Sequence, residues 1–211
     1  MVKISEKRLL SIAEYLVAED AAEARNEFQN GKTIEMAGGT LSHNVVKGEI
    51  FTLINMAIKA ADIPHLVLNS DTKVRIESDN RFFYPDVTIS DGTPVYYTTP
   101  EGRTRRDIII NPLVIVEVLS EDTRYYDKGE KFDMYCSVPG FQEYILIEPE
   151  QVWVKSMFLQ DPAEHLWKHE VLTDKSARLP IRSLGWEIPL ADLYTALEKL
   201  PKEEEEKDVE Q

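Results

Sequence analysis

The chain has 211 residues, which is enough to bury one substantial hydrophobic core and short for two. Its net charge of −14 is unfavourable for contact with nucleic-acid phosphates unless cationic side chains are concentrated in one place. The single cysteine excludes an internal disulfide, and no apolar run approaches the roughly 20 residues that span a bilayer. The first residues are interrupted by charges and lack the apolar core of a secretion signal, so we expect a cytoplasmic protein with no membrane association.

The N-terminal third predicts a helix, a hairpin and a second helix. Ser11 and Glu14 have the spacing of a capping box, which predicts a short helix over "SIAEYLVAED". Asn30 and Gly31 suit the positive φ angles of a type I′ turn and predict a hairpin. After a glycine-rich break, apolar residues recur at helical spacing and predict the longest helix of the chain. These residues are Val45, Val46, Ile50, Leu53, Ile54, Ala57 and Ile58.

The rest of the chain predicts mainly strands. Segments 65–77 and 82–90 are expected to pair as two strands around a turn, and residues 91–107 are expected to form a polar connecting segment. Further strands are predicted at 111–120, at 142–159 as two strands around Pro149, and at 165–172, with helices at 122–138 and 188–200. The sequence therefore predicts one α+β domain over residues 1–200, built around a mixed sheet, and an acidic disordered tail over 201–211.

Two apolar strands each contain one carboxylate. Alternation places Ile115, Glu117 and Leu119 on one face of a strand whose other face is also apolar, so Glu117 is expected to be buried. Asp86, between Pro85 and a valine, presents the same problem. A buried carboxylate requires a salt bridge, a raised pKa or a metal ion, and a structural ion pair is the simplest explanation for one carboxylate alone.

Two carboxylates on neighbouring strands favour a metal ion over separate ion pairs. Close carboxylates repel each other, and a divalent cation between them removes that repulsion. Oxygen ligands suit Mg²⁺ or Mn²⁺, and Mg²⁺ typically takes one or two carboxylates while keeping several waters. Such an ion can polarise a phosphate oxygen and lower the pKa of a bound water.

Five segments of the sequence, taken in order, resemble one protein family. They are "ARNEFQNGKTIEMAGGTLSHN", "SDTKVRI", "YPDVTI", "NPLVIVEVLSEDTRYYDKGEKFDMY" and "FQEYILIEP". The pattern is similar to the Uma-type family of the PD-(D/E)XK nuclease superfamily, and the resemblance covers roughly residues 11–194. It implies a restriction-endonuclease-like core, a central mixed sheet flanked by helices. An N-terminal helix and hairpin would precede this core, and C-terminal strands and a helix would follow it.

The resemblance also implies an activity, a metal site and a partner. It implies Mg²⁺- or Mn²⁺-dependent hydrolysis of DNA by a homodimer, without a small-molecule cofactor. Asp86 matches the motif aspartate and Glu117 the motif acid, and the backbone carbonyl of Val118 would be a further metal ligand. The motif lysine is absent, because Leu119 occupies its position.

A lysine on the following helix is a candidate to replace the missing one. Asp127, Lys131 and Tyr135 share one helical face, so Lys131 is predicted to be the active-site lysine. A surface pair between Asp127 and Lys131 is the alternative, and Lys73 is the second candidate for the lysine.

The remaining candidates have weaker support. His43 could act as a base or contact a phosphate, and helix capping or a surface position is the alternative. Glu27 could approach the metal, and an ion pair with a basic residue is the alternative. Basic residues near the two strands are predicted to bind phosphates, with solvated charge as the alternative for the first three. They are Arg103, Arg105, Arg106, Arg124 and Lys128.

Two functions remain open beside a nuclease. The absence of a lysine at position 119 and the acidic composition favour a non-cleaving nucleic-acid-binding or regulatory module on the same fold. A third hypothesis is an interaction protein whose acidic tail recruits a basic partner.

Overall fold

The computed structural model describes residues 8–36 and 38–201. The first half contains α1 (Ile12–Asp20), β1 (Asn26–Gln29), β2 (Lys32–Glu35), α2 (Leu41–Ala61), β3 (Val67–Asn69), β4 (Lys73–Ile76), β5 (Arg81–Phe83), β6 (Val87–Ser90), β7 (Tyr96–Thr98) and β8 (Thr104–Ile109). The second half contains β9 (Pro112–Val118), α3 (Arg124–Lys128), α4 (Glu130–Tyr135), β10 (Glu143–Ile147), β11 (Val154–Asp161), β12 (Leu166–Leu172), β13 (Arg178–Ile181), β14 (Trp186–Pro189) and α5 (Leu190–Tyr194). Short 3₁₀ helices occupy Arg182–Leu184 and Thr195–Lys199. The tail predicted at 201–211 lies outside the described residues from position 202 onward.

Most strands belong to two six-stranded sheets. The N-terminal sheet has the order β2-β1-β5-β4-β8-β7, and the central sheet has the order β12-β11-β10-β9-β6-β3. Each sheet contains one parallel pair, β4 with β8 and β9 with β10, among antiparallel neighbours. The predicted α+β class with mixed sheets is confirmed, although the strands are divided between two sheets instead of one.

The two sheets pack face to face, and helices cover their outer faces. On the central sheet, Val114 and Val116 pack with Ile50 of α2, whereas Ile115 points to the opposite side. Ile115 and Phe83 of the N-terminal sheet share the second core, which α4 helps to close. The outer face of the N-terminal sheet packs against α1 in a third, smaller cluster. Strand β9 is therefore buried on both faces, as its apolar sequence predicts.

The local signals in the N-terminal third give the expected elements. Ser11 and Glu14 form a reciprocal capping box at the start of α1. Asn30 and Gly31 have φ angles of 49° and 88°, which allow the tight turn between β1 and β2. Thr40 caps α2, the longest helix, by accepting a hydrogen bond from the backbone of His43. Across the described ranges, no helix is long and apolar enough to cross a membrane.

The predicted pairing of segments 65–77 and 82–90 is confirmed, but each segment is divided into two short strands. Each segment contributes one strand to each sheet, so β3 pairs with β6 and β4 pairs with β5. A turn closed by the Thr72 N–H and the Asn69 carbonyl separates β3 from β4. Pro85, which has no N–H to donate, lies between β5 and β6. These breaks allow the chain to cross between the sheets twice.

Other departures from the sequence predictions have local causes. Residues 91–107 contain β7 and most of β8, which pair as a hairpin at the edge of the N-terminal sheet and keep polar side chains facing solvent. The helix expected at 122–138 is divided at Gly129, whose φ of −133° and ψ of −95° are not helical. The C-terminal helix is shorter than predicted because Trp186–Pro189 is a strand paired with Arg178–Ile181.

Candidate functional site

Glu117 on β9 and Asp86, the residue before β6, meet at one end of the pair formed by β6 and β9. Val87 lies opposite Val116 in this antiparallel pair, so Asp86 and Glu117 are next to each other across the strands. The Asp86 N–H lies 3.3 Å from Glu117 Oε2, and the Val118 N–H donates to Asp86 Oδ2 at 2.8 Å. Both carboxylates line a cleft of about 780 Å³. The structure therefore brings together the two acids that the sequence selected.

Lys131 of α4 enters the cleft from the side of Glu117. Its ammonium nitrogen lies 2.8 Å from Glu117 Oε1, 3.2 Å from Glu27 Oε1 and 3.4 Å from Asp127 Oδ1. All four side chains are buried, so the alternative of a surface pair between Asp127 and Lys131 is wrong. Glu27 forms the ion pair that was its alternative, and it also lines the cleft.

This cluster contains more negative than positive charge. Burial raises the pKa of Glu117 well above its usual value, and the nearby Asp127 and Asp86 add to that rise against the opposing effect of Lys131. Burial acts to lower the pKa of Lys131, but Glu117, Glu27 and Asp127 outweigh it and raise this pKa well above its usual value. One ammonium thus serves three carboxylates, and burial favours the protonated form of Glu117.

Asp86 is held by a different set of donors. From α2, His43 Nε2 lies 3.3 Å from Asp86 Oδ2, and Lys47 Nζ lies 3.6 Å from Asp86 Oδ1. Burial acts to raise the pKa of Asp86, but the hydrogen bond and charge of His43, the Val118 N–H and the charge of Lys47 together lower it. Asp86 is therefore kept ionised beside a carboxyl group that burial tends to neutralise.

The His43 ring lies close to the backbone of Gly39. A Cβ atom at Gly39 would lie 2.5 Å from His43 Nδ1 and 2.9 Å from its Cγ, which is closer than real atoms pack. Gly38 has open space at the same point. Glycine at position 39 thus lets the imidazole lie beside the start of α2 and reach Asp86.

The donor set fits a divalent cation with few protein ligands. Among residues 8–36 and 38–201, no group of three or more His, Cys, Asp or Glu side chains is arranged to hold a metal. Asp86 and Glu117 provide two adjacent carboxylates, which is the number Mg²⁺ commonly takes while keeping its waters. The excess of buried carboxylate over buried ammonium is also relieved by a cation at this point.

Two residues predicted for the site lie outside the cleft lining. Lys73 Nζ is 2.7 Å from Asp107 Oδ2 and stacks over the ring of Tyr84 at 5.0 Å. Arg105 is buried and pairs with Asp107 and with Asp20, at 2.8 and 2.6 Å. These two cations are bound to carboxylates of the N-terminal sheet and α1.

The other predicted phosphate-binding residues are also absent from the cleft lining. Arg103 and Arg106 are exposed near β8, at the edge of the N-terminal sheet. Arg124 pairs with the buried Glu148, one hydrogen bond measuring 3.0 Å, and Lys128 lies over the ring of Trp153 at 4.7 Å. The structure therefore does not place these four side chains in the lining of the cleft.

Two basic residues of the cleft lining, Lys47 and Arg25, were missed by the sequence reasoning. Lys47 is four residues after His43 on α2, so the two side chains share a helical face. That spacing was visible in the sequence, but His43 alone was considered.

Comparison with known proteins identifies the family. The family model described as "Uma2: Putative restriction endonuclease" matches residues 12–191. The chain belongs to the Uma2 family. This match confirms the family resemblance of the sequence segments. Asp86, Glu117 and Lys131 lie within the matched residues.

Two relatives and one solved structure extend this comparison. "Uncharacterized protein slr1290" of Synechocystis is 29% identical over 188 residues, covering 89% of this chain and 93% of that protein. "Uncharacterized protein sll1609" of the same organism is 31% identical over 148 residues, covering 70% of this chain and 80% of that one. The crystal structure of a "putative nuclease belonging to DUF820" from Anabaena variabilis superposes with a TM-score of 0.69 at 20% identity, covering 89% of this chain and 99% of that one. The last comparison supports the fold.

Proposed function

We propose that this Uma2 protein is a divalent-metal-dependent endonuclease that hydrolyses phosphodiester bonds in DNA. The observation that carries the proposal is the convergence in one cleft of Asp86, Glu117 and Lys131, three residues from three separate parts of the chain. Asp86 and Glu117 each contact a basic side chain, but both acids line the same open cleft. Here the two acids are adjacent, and one buried ammonium is shared with two further acids.

The carboxylates of Asp86 and Glu117, together with the Val118 carbonyl, are the proposed ligands of Mg²⁺ or Mn²⁺. The bound ion would supply a Lewis acid for a phosphate oxygen and lower the pKa of a water. The protein would supply a fixed arrangement of oxygen ligands, because Glu117 lies on β9 and Asp86 immediately precedes β6, which pairs with β9.

Neighbouring residues would prepare these ligands for the cation. His43 and the Val118 N–H orient Asp86 and keep it ionised, which favours metal binding at neutral pH. Lys131 places its charge 2.8 Å from Glu117, which stabilises the ionised form of a carboxyl group that burial disfavours. Both effects act before substrate binds.

The proposal is tested with supercoiled plasmid and purified protein in Mg²⁺ or Mn²⁺. Wild type is expected to nick or linearise the plasmid. Asp86→Asn and Glu117→Gln should each reduce the cleavage rate by more than roughly 100-fold. That is more than the loss expected when a residue that only supports a metal ligand is removed. Glu143→Gln is the matched control. Glu143 is also buried, on the neighbouring strand β10, but its carboxylate binds the Arg182 and Ser183 backbone away from the cleft. Cleavage that survives in Asp86→Asn and Glu117→Gln would reveal a contaminating nuclease.

A non-cleaving nucleic-acid-binding module is the second candidate function. Leu119 at the position of the motif lysine and the net charge of −14 favour it. Calorimetric titration with Mg²⁺, and binding of a labelled DNA duplex with and without the ion, separate the two functions. DNA binding that needs no divalent ion and leads to no cleavage would favour this module over the nuclease.

We also propose that the protein acts as a cytoplasmic homodimer. Two copies related by a two-fold axis would present two clefts to the two strands of a duplex. Light scattering coupled to size-exclusion chromatography should give twice the mass of the chain, and a monomeric mass with DNA bound would refute the dimer.

A further inference from the structure

We infer that Lys47 is the residue that contacts the scissile phosphate, whereas Lys131 positions the carboxylates. The inference deepens the proposed nuclease function and rests on it. It follows from a difference between the two lysines of the cleft in exposure and in the number of carboxylates they contact.

Lys131 is buried and surrounded by three carboxylates. An ammonium group has three N–H donors, and three carboxylates lie within 3.4 Å of this nitrogen. Its side chain is 6% exposed, so a phosphate cannot reach it without displacing the carboxylates around it. Such a lysine fixes Glu117, Glu27 and Asp127 relative to each other. It therefore positions these carboxylates and does not contact the substrate.

Lys47 has the opposite properties. Its side chain is 27% exposed and lines the cleft, and its ammonium nitrogen lies 3.6 Å from a single oxygen, Asp86 Oδ1. At that distance the contact is too long for a good hydrogen bond, so the lysine donors remain available. A phosphate bound beside Asp86 would lie within reach of this flexible side chain.

The other cations of the cleft are less suited to this contact. His43 is buried, and its Nε2 atom already contacts Asp86. Arg25 lies at the rim, where it pairs with Asp71 at 3.0 Å. In the described part of the chain, His43 and Lys47 are the only Lys, Arg or His residues with a side-chain nitrogen within 4 Å of an Asp86 oxygen.

The charge of the cleft makes this contact necessary. More acidic than basic side chains line the cleft, so a phosphodiester approaching Asp86 and Glu117 meets a negative surface. A mobile cation next to the metal ligands would compensate the negative charge of the phosphate as it increases in the transition state. Lys47 would move from Asp86 to the phosphate when metal and DNA bind.

The test compares Lys47→Met and Lys47→Arg with Lys59→Met. Lys59 is in the last turn of the same helix and is exposed, so Lys59→Met makes the same change of charge far from the cleft. Plasmid cleavage is measured with Mg²⁺, and affinity for a labelled DNA duplex is measured with Ca²⁺ over a series of salt concentrations. Thermal denaturation confirms that all variants are folded.

Lys47→Met is expected to reduce the cleavage rate by roughly 100-fold or more. It should also reduce the slope of log affinity against log salt by about 0.9, which is the loss of one phosphate contact. Lys47→Arg should restore the slope and part of the rate, and Lys59→Met should match wild type. A purely structural Lys47 would leave the salt slope unchanged.

The outcomes separate this inference from the proposed function. If Asp86→Asn abolishes cleavage but Lys47→Met retains the wild-type rate and salt slope, the nuclease stands and the inference is overturned. If wild type neither cleaves nor binds DNA, both fail. A lower rate in Lys47→Met with an unchanged salt slope assigns Lys47 to the support of Asp86 and also overturns the inference.

Discussion

Two charge clusters in this protein differ in how their charges balance and in how deeply their carboxylates are buried. In the cleft cluster (Glu27, Glu117, Asp127 and Lys131), one ammonium contacts three carboxylates. In the sheet cluster (Asp20, Lys73, Arg105 and Asp107), two cations pair with two carboxylates at distances of 2.6–2.8 Å. The cleft cluster faces an open cleft, and the sheet cluster lies between the N-terminal sheet and α1.

The difference separates a structural ion network from a site that accepts a cation. Burial acts to raise the pKa of Asp107, yet Arg105 and Lys73 outweigh it and hold that pKa well below its usual range. In the cleft cluster burial prevails, and the pKa of Glu117 is raised despite Lys131. A balanced network needs no further ion. An unbalanced one beside a cleft can bind one more cation, and this supports the proposed metal site.

The largest expected effect is the loss of the only cation in the cleft cluster. Lys131→Met leaves three buried carboxylates without a counter-ion and should destabilise the protein by roughly 3–5 kcal/mol. Lys73→Met should cost less, because Asp107 keeps its hydrogen bonds to Arg105 at 2.8 and 2.9 Å. Urea denaturation at neutral pH measures both.

The response of the two variants to added Mg²⁺ gives a second test of the difference between the clusters. Added Mg²⁺ should recover part of the stability of Lys131→Met and none of that of Lys73→Met, because only the first variant has lost charge beside the proposed metal ligands. Equal destabilisation of the two variants, with no response to the ion, would remove the distinction between the clusters.

A moderate effect is expected at Gly39, where backbone packing supports the cleft. Gly39→Ala places a methyl group 2.5 Å from His43 Nδ1 and should displace the imidazole from Asp86. Plasmid cleavage should fall by roughly 10- to 100-fold, as is typical when the support of a metal ligand is lost. Gly38→Ala, where the added methyl group contacts nothing within 4 Å, should retain wild-type activity. Identical rates for the two alanine variants would show that His43 is not needed.

The smallest effect is the acid sensitivity of the sheet cluster. Because the folded pKa of Asp107 is below the unfolded value of about 3.9, its stabilising contribution is complete above that value and lost as pH falls through the folded pKa. The free energy of unfolding of Asp107→Asn should therefore differ most from wild type near neutrality and converge with it in acid. Denaturation curves measured from pH 7 down to about pH 2 give this difference, and an offset that stays constant below about pH 4 would contradict the assignment.

Sequence patterns found the centre of the candidate site because the relevant spacings are local. Strand alternation around Glu117 predicted a buried acid, and helical spacing predicted that Asp127 and Lys131 share a face. The same reasoning misjudged Lys73 and Arg105, since nothing near them in the chain indicates that they share Asp107. Arg105 also pairs with Asp20, which is 85 positions away. Partners at that separation are set by packing.

The sequence by itself determined the α+β class, the ends of α1 and α2, the turn between β1 and β2, and the two acids. These features depend on side chains within a few residues of each other, whose geometry the backbone fixes. Only the tertiary structure decided that the strands divide between two sheets, which cations are neutralised by carboxylates, and that Lys47 faces the cleft. Those features depend on which surfaces are buried against each other when the chain folds. Whether a charged side chain is paired depends on the neighbours that folding places beside it.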